Sequence, residues 1–270
     1  MRLDELGELG LLAELERLGL AQGIEHDAAQ IGGLVVTQDA LIEGVHFRFD
    51  LLSWADLGFR AAAVNISDLA ASGAEPLALV VTLAVPGATR VEDVVQLYQG
   101  LAEAGVPVRG GDTTRADAVM LSVTALGRSE RVPGRGGART GDLVVVTGPL
   151  GGAGAAFRAG RLARPPIRIA EGLRLGAVAT AMLDVSDGLG VDAGHMARRS
   201  GCRVAIELER VPLGQGATLE DVSFGEDFEL LAATPDALGF TVIGRCEEGE
   251  GVSVTLNGAP YELPGWEHFR

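Results

Sequence analysis

Leucines recur at helical spacing from residue 3 to residue 18 and stop at Gly19, with Gly23 beyond, which predicts an N-terminal helix. The pattern then changes to short apolar runs, 34 to 37 and about 40 to 49, read as two strands. Ser53 with Asp56 three residues on resembles a capping box and predicts a helix to about Ala71. Residues 77 to 85 read as a strand, 91 to 104 as an amphipathic helix, and 106 to 108 and 119 to 127 as strands. The run Arg131-Val132-Pro133-Gly134-Arg135-Gly136-Gly137 has the composition of a linker. After it, strands are expected at 143 to 147, 181 to 185, 204 to 208, 228 to 232, 241 to 245 and 252 to 256. Helices are expected after Gly152, from 167 to 180, and from Gly188 to about Ser200. The chain therefore reads as two α/β halves, 1–134 and 135–270.

Composition narrows this picture. The 270 residues are 47% hydrophobic, enough for one large or two medium domains, and only 4% aromatic, so the core must be Ala, Val and Leu. No apolar run reaches the roughly 18 residues that cross a bilayer, and acidic residues interrupt the N-terminal leucines, so neither a span nor a leader is expected. A cytoplasmic protein is the expectation. Cys202 and Cys246 fit no metal-ligand spacing and read as buried free thiols. A net charge of −15 argues against nucleic-acid binding and would repel a phosphorylated substrate unless bound cations reverse the local sign. Every basic residue is Arg, which excludes a P-loop, a protein-kinase site and Schiff-base chemistry.

The chemistry lies in aspartates set in turn-like pockets of very small residues. Asp27 stands before Ala28-Ala29, Asp39 follows Thr37-Gln38, and Asp68 lies within Asn65-Ile66-Ser67-Asp68-Leu69-Ala70-Ala71. Further along come Gly110-Gly111-Asp112-Thr113-Thr114, Asp184-Val185-Ser186-Asp187-Gly188 and Gly225-Glu226-Asp227. A carboxylate with no bulky neighbour can be approached closely. Several such carboxylates beside strand-like runs suggest convergence at strand ends, and converging carboxylates need a hard cation such as Mg²⁺, Mn²⁺ or Ca²⁺.

In this order, and with Glu43-Gly44-Val45-His46-Phe47 and the C-terminal Trp266, these motifs resemble the thiamine-monophosphate kinase family. That family belongs to a superfamily of ATP-using enzymes that includes aminoimidazole ribonucleotide synthetase. The resemblance implies a two-domain α/β (α+β) fold, with an N-terminal mixed-sheet ATP and metal domain that dimerises and a C-terminal α/β domain. It implies transfer of the γ-phosphoryl group of ATP directly to thiamine monophosphate, several Mg²⁺ ions, and a homodimer through the first domain, with 77 to 85 as an interface strand. Asp27, Thr37, Gln38, Asp39, Asp68, Asp112, Asp184 and Asp187 would hold the metals. Tyr98, Gly111, Asp112, Arg135 and Ser186 would meet ATP, and His46, Glu226 and Trp266 the thiamine phosphate. The physics agrees, because phosphoryl transfer needs charge neutralisation and positioning rather than a nucleophilic side chain.

The chain departs from the family pattern in places. Glu25 and His26 stand where Gly-Asp is usual, Gln38 replaces a Thr, and Phe224 replaces a Gly. His26, His195 and His268 show no ligand spacing. Two alternatives stay open at this point, a sibling ATP-dependent synthetase and a nucleotide-binding regulatory protein without turnover. The missing Lys and the absence of any Cys before Cys202 disfavour a selenophosphate synthetase.

Overall fold

A computed structural model describes residues 2–22 and 26–264 of the chain. Glu25, Trp266 and His268 lie outside the described residues. The N-terminal leucine repeat forms α1 (Leu3–Arg17), interrupted at Gly7, whose φ of 73° breaks the predicted continuous helix into two pieces. A five-stranded sheet follows in the order β1-β2-β5-β3-β4. Its strands are β1 (Ala29–Ile31), β2 (Leu34–Ile42), β3 (Glu75–Val85), β4 (Val108–Arg115) and β5 (Met120–Arg128). Two helices, α2 (Trp54–Ala71) and α3 (Val91–Glu103), join them. The β3–β4 pair is parallel and the other pairs are antiparallel.

Two expectations need correction here. The apolar runs at 34 to 37 and 40 to 49 are not two strands. β2 runs unbroken to Ile42, and the chain then turns through Gly44, at φ 81°, with the Gly44 N–H donating to the Phe47 carbonyl. Nor is Gly110-Gly111-Asp112 a turn, because it lies inside edge strand β4. A Cβ on Gly111 would sit 1.8 Å from the Val81 carbonyl oxygen, so glycine is what lets β4 close against β3.

The second half builds a seven-stranded sheet in the order β12-β11-β8-β10-β6-β9-β7. Its strands are β6 (Leu143–Val146), β7 (Ala181–Asp184), β8 (Arg203–Glu207), β9 (Leu230–Thr234), β10 (Thr241–Glu247), β11 (Gly251–Leu256) and β12 (Ala259–Pro260). Its helices are α4 (Gly152–Arg158), α5 (Ile169–Gly176) and α6 (Leu189–Ser200). The architecture is a mixed α/β fold on two sheets. The stretch expected to be a linker is tied down, with the Met182 N–H on the Gly134 carbonyl and the Ser200 hydroxyl oxygen accepting from Gly137 and Ala138.

Helix α2 is the element on which both halves pack. Its capping box forms as the sequence suggests, with Ser53 Oγ accepting from the Asp56 N–H at 3.1 Å. Every residue from Leu57 to Ala71 except Asp68 is buried. A helix apolar on all sides must be covered on all sides. On one flank, Gly58 and Gly100 let α2 and α3 touch backbone to backbone. On another, Gly172 of α5 packs on the Ala70 carbonyl, where a Cβ would come within 2.3 Å. Ala70 and Ala71 thereby join a core with Met182, Leu230 and Ala232 from the second sheet. Cys202 and Cys246 are buried free thiols, as expected. No helix among the described residues is long and apolar enough to cross a membrane.

Candidate metal and nucleotide site

Asp27 from the loop before β1, Asp68 from α2 and Asp184 from the end of β7 converge. Each offers a carboxylate oxygen, and these atoms lie within 4.8 Å of one another. Helix α2 does most of the positioning. The Asn65 side chain donates to the Ala61 carbonyl at 2.9 Å and accepts from the Asp39 N–H at 3.0 Å, which fixes β2 against the helix. Thr37, one pleat earlier on the same face of β2, donates its hydroxyl to Asp68. Ser67 reaches the other way and donates to Asp184 Oδ2 at 2.5 Å. Ser67 and Asp68, consecutive on one helix, thus bond side chains from both sheets.

The charges in this group are poorly compensated. Burial, then the neighbouring Asp27 and Asp187, raise the Asp39 pKa to about 6. Burial and Asp27 raise Asp184 to about 7, against the opposing pull of the Ser67 hydrogen bond and Arg135. Asp68 is pushed well above the usual carboxylate range by burial, Asp39, Asp184 and Asp27. Among the described residues, one cation, Arg135, bonds a carboxylate of the group. Arg135 donates Nε and Nη2 to Asp27 Oδ1 at 2.8 and 2.5 Å, and the His26 ring accepts from its backbone N–H. Buried carboxylate oxygens at this spacing, in excess over cations, fit hard oxygen-seeking ions such as Mg²⁺.

A second group adjoins the first. Asp187, Asp192 and His195 also offer ligand atoms within 4.8 Å of one another. Asp192 and His195 are an i, i+3 pair on α6, a spacing readable in the sequence but passed over there. His195 therefore does share a face with carboxylates. Its ring is burdened by burial and by Arg135, Arg198 and Arg199, which lower its pKa to about 4. Asp192 is buried, accepts the Asp187 N–H at 3.0 Å, and is raised by burial, Asp187 and Asp184.

Several expected site residues are not brought to the carboxylates. Gln38 alternates to the opposite face of β2 from Thr37 and Asp39, where its amide bonds the Ser122 and Thr124 hydroxyls of β5. Asp112 pairs with Thr82 on the exposed edge strand β4 and lies out of phase with Asp39 across the sheet. Tyr98 sits on α3 beside the early turns of α2, roughly two and a half helical turns from Asp68. His46 closes the turn after β2, its Nδ1 accepting the Ile42 N–H at 3.1 Å. Ser186, half-buried between Asp184 and Asp187, offers its carbonyl to the Glu226 N–H at 2.8 Å.

That last bond leads to another acidic segment. Glu226 faces Arg60 of α2, with Nη2 to Oε1 at 2.5 Å. Asp227 accepts the Gly151 and Ala153 N–H groups at 2.6 and 3.0 Å, although burial still lifts its pKa to about 6. Glu229 takes a two-pronged bond from Arg168, at 2.7 and 2.6 Å, and a hydroxyl from Thr147 at 2.6 Å.

A mixed five-stranded sheet, a helix buried on all sides and carboxylates gathered from both halves define a class, and residues 25–129 match the model of the AIR synthase related protein N-terminal domain. Relatives narrow the class. The thiamine-monophosphate kinase of Aquifex aeolicus is 34% identical, with 100% of each chain covered. That of Methanopyrus kandleri is 35% identical over 86% of this chain and 85% of its own. A solved structure of AaThiL complexed with AMPPCP and TMP superposes with a TM-score of 0.89 at 33% identity, covering 99% of each chain. The chain belongs to the thiamine-monophosphate kinase family.

Proposed function

We propose that this chain transfers the γ-phosphoryl group of ATP to the phosphate of thiamine monophosphate in the cytoplasm. The products are ADP and thiamine diphosphate, in the last step of thiamine diphosphate biosynthesis. The observation that carries the reading is the convergence of Asp27, Asp68 and Asp184 within 4.8 Å, in a chain of this family. Two anionic phosphate esters must meet in a protein of net charge −15, and they can do so only where cations gather. Asp27, Asp39, Asp68, Asp184 and Asp187, with the Thr37 hydroxyl, would hold Mg²⁺, which when bound supplies the positive charge that phosphoryl transfer demands.

The chain's own residues do the rest. Ser67 and Thr37 hold carboxylate oxygens toward the metal position. Arg135 offers a guanidinium that can exchange Asp27 for an ATP phosphate, and Ser186, between Asp184 and Asp187, is assigned to the same nucleotide. Glu226 and Trp266, the second beyond the described residues, are assigned to the thiazolium, which as a cation suits a carboxylate or an aromatic face. His46 is assigned to the phosphate of the same substrate. Ser67, the serine bonded to a site carboxylate, is buried at 2% exposure and cannot reach a phosphate, so transfer is direct, in line, without a phosphoenzyme.

Gln38 and Asp112 share the exposed side of the five-stranded sheet, so their contact with metal is assigned to a homodimer through residues 1–134, whereas Gly111, in line with Asp39 across the sheet, and Tyr98 on α3 lie on the helix-covered side and are assigned to ATP there. β3 is not the strand that can extend a sheet across such a dimer, because β5 and β4 already bond both its edges. Edge strand β4 and the exposed sheet face remain for that purpose. Light scattering at micromolar concentration should give twice the 27.9 kDa chain mass. The decisive experiment for the reaction incubates the protein with ATP, Mg²⁺ and either thiamine or thiamine monophosphate. Thiamine diphosphate should form from the monophosphate alone and only without chelator. ATP binding with no product would favour a regulatory protein instead.

A further inference from the structure

We propose that Arg60 is the positioning residue for the thiamine-phosphate end of the site, acting by holding Glu226. This rests on the reading of Glu226 as a substrate contact. Arg60 is only 3% exposed, inside the most buried helix of the molecule. Its Nη1 donates to the Ala163 carbonyl at 3.0 Å, its Nη2 meets Glu226, and its guanidinium lies 5.7 Å from the centre of the Phe228 ring. Its Nε is buried without a partner. A buried guanidinium with an unmet donor is a poor stabiliser, and an apolar side chain of similar length would pack there at less cost. Stability therefore does not explain why a charge sits at this position of α2.

What the charge does is visible in the segment it faces. Gly225, Glu226 and Phe228 have φ of 80°, 59° and 51°, and neither Glu nor Phe adopts such backbone without support. The second half supplies part of that support. The Glu226 N–H bonds the Ser186 carbonyl, the Phe228 N–H bonds the Val185 carbonyl, and Asp227 is held by Gly151 and Ala153. The first two fix the backbone and the last fixes the Asp227 carboxylate. The Glu226 side chain is directed by Arg60, from the other half of the molecule. Arg60 and Asp68 lie eight residues apart on one helix, roughly 12 Å along its axis. A single rigid element therefore spaces the carboxylate assigned to thiamine from the carboxylates assigned to metal.

The test is steady-state kinetics of Arg60→Gln, Arg60→Lys, Glu226→Gln and the Arg60→Gln/Glu226→Gln double variant. Arg60→Gln should raise KM for thiamine monophosphate at least about tenfold while KM for ATP stays within about twofold. Arg60→Lys, which still reaches one carboxylate oxygen, should raise it about threefold. The double variant should be no worse than Glu226→Gln alone, since Arg60 acts through that carboxylate. An unchanged KM for thiamine monophosphate in Arg60→Gln, or an equal rise in KM for ATP, overturns the proposal. If Arg60→Gln does not fold, Arg60→Lys decides: a rise confined to thiamine monophosphate supports it and no rise overturns it. Should Glu226→Gln itself leave that KM unchanged, the assignment of Glu226 falls first and this proposal with it. A rise in Glu226→Gln without one in Arg60→Gln overturns the role of Arg60 alone.

Discussion

The aspartates around Asp68 and the segment Glu226 to Glu229 carry the same kind of charge and differ in what balances it. In the second region each carboxylate has its own partner: Arg60 for Glu226, two backbone N–H groups for Asp227, Arg168 for Glu229. In the first, Asp39, Asp68 and Asp184 face one another and Asp27, with Arg135 as the cation bound among them. The causes of the pKa shifts follow: neighbouring carboxylates add to burial in raising Asp39 to about 6 and Asp184 to about 7, whereas Asp227, also at about 6, is raised chiefly by burial against its backbone hydrogen bonds. One region is finished as the chain folds. The other stores repulsion that a ligand must relieve, which is the expected state of a site whose charges exist to bind ions.

The largest effect should come from the unbalanced region. Asp68→Asn keeps size and hydrogen bonding but removes an anchoring charge, so kcat should fall on the order of 10²-fold, about 3 kcal/mol. Near wild-type turnover would place the metal site elsewhere. In the balanced region the effect should fall on stability instead. Arg168→Met leaves Glu229, buried at 3% exposure, without its counter-charge, which costs about 3 kcal/mol and lowers Tm by several degrees. A Tm unchanged by that substitution would show that Glu229 is less dependent on Arg168 than its geometry implies.

A smaller effect is a pH dependence to which Asp227, raised to about 6, contributes from the second region, so that the response to Mg²⁺ is what separates the two. Asp39 and Asp184 have folded-state pKa values raised from 3.8, so their protonation favours the folded state. In chelator, stability should therefore decline as pH rises from about 4 through 6 and 7, and Mg²⁺ should restore it most at pH 8. A metal-free Tm that climbs through this range would contradict the account. Smallest of all is His26→Ala. His26 is exposed and accepts one backbone N–H from Arg135, so kcat should change less than about twofold.

Much of this contrast was legible in the chain. The capping box at Ser53 placed α2, and the small residues flanking Asp27, Asp68 and Asp184 marked carboxylates that could be approached. What stayed hidden depended on register and on distant pairing. Gly110-Gly111 reads as a turn, and only the approach of the Val81 carbonyl shows it to be strand. Gln38 was grouped with Thr37 and Asp39 by adjacency, whereas alternation along β2 turns it to the other face. Ser67 and Arg60 gave no signal, because their partners Asp184 and Glu226 lie far along the chain in the second half. Asp192 and His195 were accessible through their helical spacing and were missed.

The difference between the two acidic regions is tested most directly by calorimetric titration of Mg²⁺ at pH 8 into wild type, Asp68→Asn and Glu226→Gln, each saturated with a non-hydrolysable ATP analogue. Wild type and Glu226→Gln should bind Mg²⁺ alike, and Asp68→Asn should lose at least about tenfold in affinity. Undiminished Mg²⁺ binding by Asp68→Asn, or a loss as large in Glu226→Gln, would contradict the assignment of the metals to the aspartates that helix α2 assembles.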